Sequence, residues 1–217
     1  MSSENLTVAD SIAHTGLSRR KALQTVSLGL GVGYSLAAAP LAAQTAIKTS
    51  TEGLTTGMVT IDINGVKLSA YRAAPAGKTN LPVVLVIQEI FGLHEYITDV
   101  ANRFAQQGYM AIAPDLFERQ GDPIQYAEMA KLIAEVVSKV PDEQVIKDLD
   151  ATVAWAGKNG GDVSRVAITG FCWGGRITWL YAAHQPNVKA GVAWYGRLVG
   201  AETALTPRHP VNVAAEL

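Results

Sequence analysis

Two stretches of this chain are too apolar to have a solvated side. Residues 82–88 read PVVLVIQ and residues 109–113 read YMAIA, the second stopped by Pro114. A strand with one wet face alternates apolar and polar residues, whereas a nearly continuous run predicts a strand covered on both faces, as in a parallel sheet flanked by helices. The intervening sequence agrees: residues 95–107 repeat Ile97, Val100, Ala101 and Phe104 at helical spacing and run into Gly108, a helix C-cap. Further on, the pattern predicts helices over 124–140 and 141–158, a strand over 165–169, a helix over Trp173–His184 and a strand over 189–194. Pro141, Asp142 and Glu143 suit a helix N-terminus. Ahead of all this, the alternating runs 58–63 and 66–72 are joined by Asn64 and Gly65, a hairpin signal. The expected fold class is therefore α/β, a mostly parallel sheet with helices on both faces and an N-terminal β-hairpin.

In such sheets ligands bind beyond the carboxyl ends of the strands, so the residues just after each strand carry the interest. After the fifth strand comes GFCWGG, residues 170–175. This is the G-x-S-x-G spacing of a nucleophile elbow with Cys172 in the serine position. A nucleophile raised on a tight strand-to-helix turn needs glycines beside it to avoid clashes. The same turn puts Cys172 at a helix N-terminus, which favours thiolate, and makes the Trp173 N–H one half of an oxyanion hole. The alternative is a structural cysteine buried in a glycine-rich turn.

After the third strand, Ile90 is placed to supply the second oxyanion N–H. Glu89 is the odd neighbour, a carboxylate ending an all-apolar strand close to where the thiol should emerge. A buried acid there needs a partner, unless it simply caps the helix that starts near His94. After the fourth strand, Arg119 lies in a loop at the same edge. It is either a two-pronged clamp for a substrate carboxylate or an ordinary solvated arginine.

Composition narrows the classes. A chain of 217 residues supports one sizeable core. A net charge of −1 gives no footprint for nucleic acid. The single cysteine excludes an internal disulfide and a zinc site built on cysteine pairs. No metal or organic cofactor is expected.

The N-terminus has a different character. Ser18, Arg19, Arg20 and Lys21 precede an uncharged, Gly- and Ala-rich apolar stretch over 22–41, followed by the small residues Ala42 and Ala43. A basic lead, an apolar stretch and small residues make a secretory signal, and the paired arginines suggest the twin-arginine class. Residues 1–46 are thus expected to engage the twin-arginine export machinery. Cleavage is expected after Ala43 or near Ala46, leaving a periplasmic or secreted protein with no stable membrane span. The rival reading is a retained transmembrane anchor. Residues 47–57 read as a polar linker and 58–217 as the folded domain.

Three segments in this order and spacing, QEIFGLHEYITDVANRFAQQGYMAIAPDLFERQGDP, GFCWGGR and AWYGRL, resemble the dienelactone hydrolases, or carboxymethylenebutenolidases. The resemblance covers about residues 57 to 217. It implies an α/β-hydrolase that cleaves a small ester or lactone through an acyl-thioester on Cys172. By the same resemblance, Glu89 matches the carboxylate that pairs with the family's thiol, and Arg119 matches an arginine that binds the substrate carboxylate. The family's triad also needs an aspartate after a seventh strand and a histidine after an eighth. Those positions fall beyond Leu217, so the domain is expected to be C-terminally incomplete, with the third or sixth strand left as an exposed edge. His94 and His184 sit at helix ends, and His209 reads as part of a solvated turn. Two alternatives stay open: a carboxylesterase or thioesterase of broader range, and an inactive remnant.

Overall fold

The computed structural model describes residues 47–217, which contain one six-stranded sheet ordered β1-β2-β4-β3-β5-β6. β1 (Leu54–Ile63) and β2 (Val66–Pro75) form an antiparallel hairpin. Its turn residues Asn64 and Gly65 both have positive φ, +53° and +91°, as a two-residue hairpin turn requires. β2 pairs antiparallel with β4 (Met110–Pro114). From there β4, β3 (Leu81–Ile87), β5 (Gly161–Phe171) and β6 (Val188–Trp194) run parallel to one another. Five helices accompany the described strands: α1 (Glu95–Gln106), α2 (Met129–Glu135), α3 (Asp142–Lys158), α4 (Trp173–His184) and the short α5 (Pro210–Val213).

The apolar run in β3 is buried on both sides, as expected. Val83, Leu85 and Ile87 pack with Leu149 and Val153 of α3 and with Ile177 and Tyr181 of α4. Val84 and Val86 face the other way, onto Ile97, Val100 and Ala101 of α1. Each fully buried aliphatic side chain of this kind contributes about 1.5–3 kcal/mol. This is why the centre of the sheet, and not its rim, is the rigid platform.

Four expectations need correcting. The hairpin begins at Leu54, not Met58, and the supposed linker is docked: the Thr49 N–H donates to Asp99 Oδ1 at 2.5 Å and Gln106 Nε2 donates to the Ser50 carbonyl at 2.8 Å. The helix over 124–140 is broken into two single 3-10 turns and α2, because Leu132, Val136 and Val140 face the core while Ile124 stays 78% exposed. β5 starts at Gly161, with a shift in its pairing to β3 between Pro82 and Val83. The third strand is interior; the edge is β6, where Val192 and Trp194 are about half exposed at 48% and 50%. Among the described residues no helix is long and apolar enough to cross a membrane. The twin-arginine segment, 1–46, lies outside the described residues.

Candidate active site

The elbow is built by close approach. β5 lies between β3 and β6, and α4 starts in the gap between their carboxyl ends. A Cβ at Gly174 would lie 2.5 Å from the Gln88 carbonyl oxygen, and one at Gly175 would lie 2.5 Å from that of Trp194. Only glycine lets the helix start that close to backbone on both sides. Cys172 takes the bend itself, with φ +54° and ψ −113°, a conformation that costs a non-glycine residue of order 1–3 kcal/mol and persists only where its surroundings enforce it. Two backbone bonds enforce it: the Cys172 N–H donates to the Trp194 carbonyl at 3.0 Å, and its own carbonyl accepts from the Arg176 N–H at 3.3 Å.

Ile90 and Trp173 were expected to supply the oxyanion N–H groups. Ile90 follows the end of β3 and is buried, while Trp173 is the first residue of α4 and packs edge-on against Phe117 with ring centroids 4.8 Å apart. Neither N–H has a hydrogen-bond partner among the described residues. For Trp173 that follows from its place in the first helical turn, whose amides point out of the helix.

Glu89 is buried, 8% exposed, and its carboxylate is paired. The partner is His94, whose Nε2 lies 2.9 Å from Glu89 Oε2. Both readings of Glu89 thus bear on the same turn: it does not cap α1 itself but binds the residue that does, since His94 Nδ1 accepts the Tyr96 N–H at 3.3 Å. Tyr195, just after β6, has φ +39°, and its hydroxyl is pushed up to about 12 by partial burial, then by negative charge on Glu89, Cys172 and Tyr96. Tyr195 follows Trp194, whose carbonyl takes the Cys172 N–H. Phe171 stacks on Trp194 (6.3 Å, 10° between planes) and meets Tyr96 edge-on. With Thr169 and Tyr195 these rings line an apolar pocket of about 500 Å³.

Arg119 is not brought to this cluster. Its guanidinium pairs with Asp148 of α3, and it lines a different pocket with Ile63, Val66 and Pro141. Asp148 is 1% exposed, and burial holds its carboxyl above the ordinary range despite the arginine. Releasing Arg119 to a substrate would strand that carboxylate. His209, read as solvated, is in fact buried at 4% exposure: Arg176 Nε donates to its Nδ1 at 3.3 Å, and its Nε2 reaches the Ala201 carbonyl at 3.0 Å. His184 pairs with Asp150. Two of these histidines are thus tied to the elbow's surroundings, His94 through Glu89 and His209 through Arg176. Tyr195, which directly follows β6, was not singled out in the sequence, and His94 was read there only as the start of a helix.

A cysteine on a sharp strand-to-helix turn, in a mostly parallel sheet of this strand order, defines an α/β-hydrolase. The chain belongs to the dienelactone hydrolase family, whose family model matches residues 68–216. A Methylorubrum extorquens protein named "Putative carboxymethylenebutenolidase" is 55% identical over 94% of this chain and 70% of its own length. A protein of the same name from Escherichia coli K12 is 50% identical over 85% of this chain and 68% of its own. Among solved structures, a "Putative Dienelactone Hydrolase" from Klebsiella pneumoniae superposes with a TM-score of 0.74 at 54% identity, covering 76% of this chain and 69% of that one.

Proposed function

We propose that this chain hydrolyses a small ester or lactone through covalent catalysis at Cys172. The observation that carries the proposal is the elbow: a lone cysteine held at φ +54° where β5 turns into α4, with the Trp173 N–H of the first helical turn lacking a partner among the described residues. The thiolate attacks the acyl carbon, the carbonyl oxygen becomes an oxyanion between the Ile90 and Trp173 N–H groups, and the C–O bond breaks as the alcohol leaves with a proton. Water then cleaves the thioester, returning the thiol and the acid. For a lactone, alcohol and acid remain one molecule. On the family resemblance, the proton acceptor is a histidine following an eighth strand, whereas the described residues hold six strands.

Acylation is the step to test, since it is visible even when turnover is slow. Incubation with a p-nitrophenyl ester should release one equivalent of nitrophenolate in a burst and add the acyl mass to Cys172. A burst of equal size in Cys172→Ala sinks the proposal. The proposal extends to location: on the strength of Arg19, Arg20 and the apolar stretch after them, the protein acts outside the cytoplasm after export by the twin-arginine route.

A further inference from the structure

We infer that Arg176 is a positioning residue for the nucleophile, acting through the chain that leaves β6. The catalytic half of the inference rests on reading Cys172 as the nucleophile.

Residues 194–196 lie directly along the first turn of α4. The Trp194 carbonyl accepts the Cys172 N–H at 3.0 Å. A Cβ at Gly175 would lie 3.0 Å from the Gly196 Cα, and a Cβ at Gly196 would lie 2.5 Å from the Arg176 nitrogen. Two glycines therefore face each other where the two stretches of backbone touch. Tyr195, between these contacts, is held at φ +39°, and Cys172 at φ +54°. Neither conformation persists in a non-glycine residue unless its surroundings enforce it. For Cys172 part of that enforcement is the Trp194 carbonyl, so whatever keeps residues 194–196 in place also keeps the elbow bent.

Sheet pairing ends with β6 at Trp194. Among the described residues, every hydrogen bond that joins residues 195–217 to the rest of the protein ends on Arg176 or Asp142. The Asp142 N–H donates to the Leu205 carbonyl at 2.8 Å, and Arg176 donates to the Arg208 carbonyl at 2.6 Å and to His209 Nδ1 at 3.3 Å. The segment's other bonds close on itself. The Val211 N–H reaches the Leu198 carbonyl at 3.2 Å, and His209 Nε2 reaches that of Ala201 at 3.0 Å. A hold on residues 205–209 is therefore also a hold on residues 198–201, and so on the exit from β6. Burial of Val213 adds attraction without direction, which does not fix where residues 194–196 sit. Asp142 is itself gripped by both arms of Arg176, whose backbone N–H donates to the Cys172 carbonyl at 3.3 Å. One buried residue thus fastens the segment and the elbow to each other.

The test is amide hydrogen exchange in the full chain, at a temperature where each variant is folded, read beside the rate of the acylation burst. Arg176→Lys keeps a cation for Asp142 but cannot reach Arg208 and His209 as well. Exchange should quicken about tenfold in residues 195–213 and at the Cys172 amide alike, and the burst should slow about tenfold at an unchanged half-saturating ester concentration. His209→Ala cuts the segment loose from its own side and leaves the Arg176–Asp142 pair intact. It should give the same pattern at about threefold size. Asp150→Asn, which frees Tyr181 and His184 at the far end of α4, is the control: it should lower Tm and leave the Cys172 amide and the burst at parental rates. Exchange that quickens in residues 195–213 but not at Cys172 overturns the inference, and so does parental exchange throughout. A parental burst despite a loosened Cys172 amide overturns it too, as does an equal slowing in Asp150→Asn, which would reduce Arg176 to general stability. Failure of the nucleophile reading looks different: a burst that survives Cys172→Ala, with the exchange pattern untouched.

Discussion

Arg176 grips Asp142 with both arms, Nη1 to Oδ1 and Nη2 to Oδ2, each at 2.6 Å, and both residues are buried. Arg176 stands one turn beyond the nucleophile on α4, and Asp142 opens α3. The same guanidinium binds the Arg208 carbonyl at 2.6 Å and His209, so one side chain ties two helices and the 205–212 segment together. Removing one member of a buried pair strands the other charge at about 3–5 kcal/mol. Arg176→Leu should therefore lower the urea midpoint strongly, and adding Asp142→Asn should recover part of the loss. Additive losses in the double variant would mean that the pair is not coupled.

Arg119→Ala should act on stability and not on substrate charge. It leaves Asp148 buried without its partner, at a cost of about 1–3 kcal/mol once the arginine's partial exposure is allowed for. Anionic and neutral esters should then lose kcat/KM equally, if at all. A KM increase confined to anionic lactones would restore Arg119 as a substrate clamp.

Gly174→Ala tests the close approach. The new methyl meets the carbonyl oxygens of Gln88 and Ile87 at 2.5 and 2.6 Å, backbone atoms that cannot swing aside. Overpacking of this kind costs about 1–3 kcal/mol. Because the strain falls between β3 and α4, the acylation burst should slow by more than about tenfold at temperatures where the fold persists. An unchanged burst would show that Ile90 and Trp173 need not be held together.

Asp115 gives a pH dependence of definite sign. Burial is the main force pushing its carboxyl above 3.8, assisted by the charges of Glu118 and Asp122 and opposed by the Phe117 N–H. The folded state therefore holds the proton more tightly than the unfolded chain does. That stabilisation is complete below pH 3.8 and is lost as pH rises through the folded value. Asp115→Asn keeps an acceptor for Phe117 without the charge, so it should raise Tm at pH 7 by more than at pH 3.5. An equal effect at both values would mean that the carboxylate carries no burial penalty.

Export is tested by exchanging Arg19 and Arg20 for lysine, which should leave the precursor in the cytoplasm. Exported protein that still begins at Met1 or Ser2 would rule out cleavage.

Much of this architecture was legible because local pattern and global burial coincide. PVVLVIQ alternates between two helix-covered faces, and Gly170, Gly174 and Gly175 announce a turn that no Cβ fits. The Glu89 environment was half legible: a carboxylate at a strand end demands a partner, but only the chain's path into α1 shows that His94 meets it. The pairs Arg119–Asp148 and Arg176–Asp142 join residues 29 and 34 positions apart, and no periodicity encodes a contact across that span. The break in the helix over 124–140 was hidden because apolar residues keep helical spacing there while only some of them find the core.

The elbow's backbone is shaped by glycines and by neighbouring carbonyls, through close approaches and backbone hydrogen bonds that do not involve the side chain at 172. Location and reactivity are consequently inherited from different parts of the molecule. The sheet supplies the address through β3 and β6, and the sulfur supplies only its own softness and acidity. A lineage carrying this frame can exchange sulfur for oxygen at 172 without redrawing a single strand. What must change with it is the local field that Glu89, His94 and Tyr195 create, because an alcohol needs far more help to lose its proton than a thiol does.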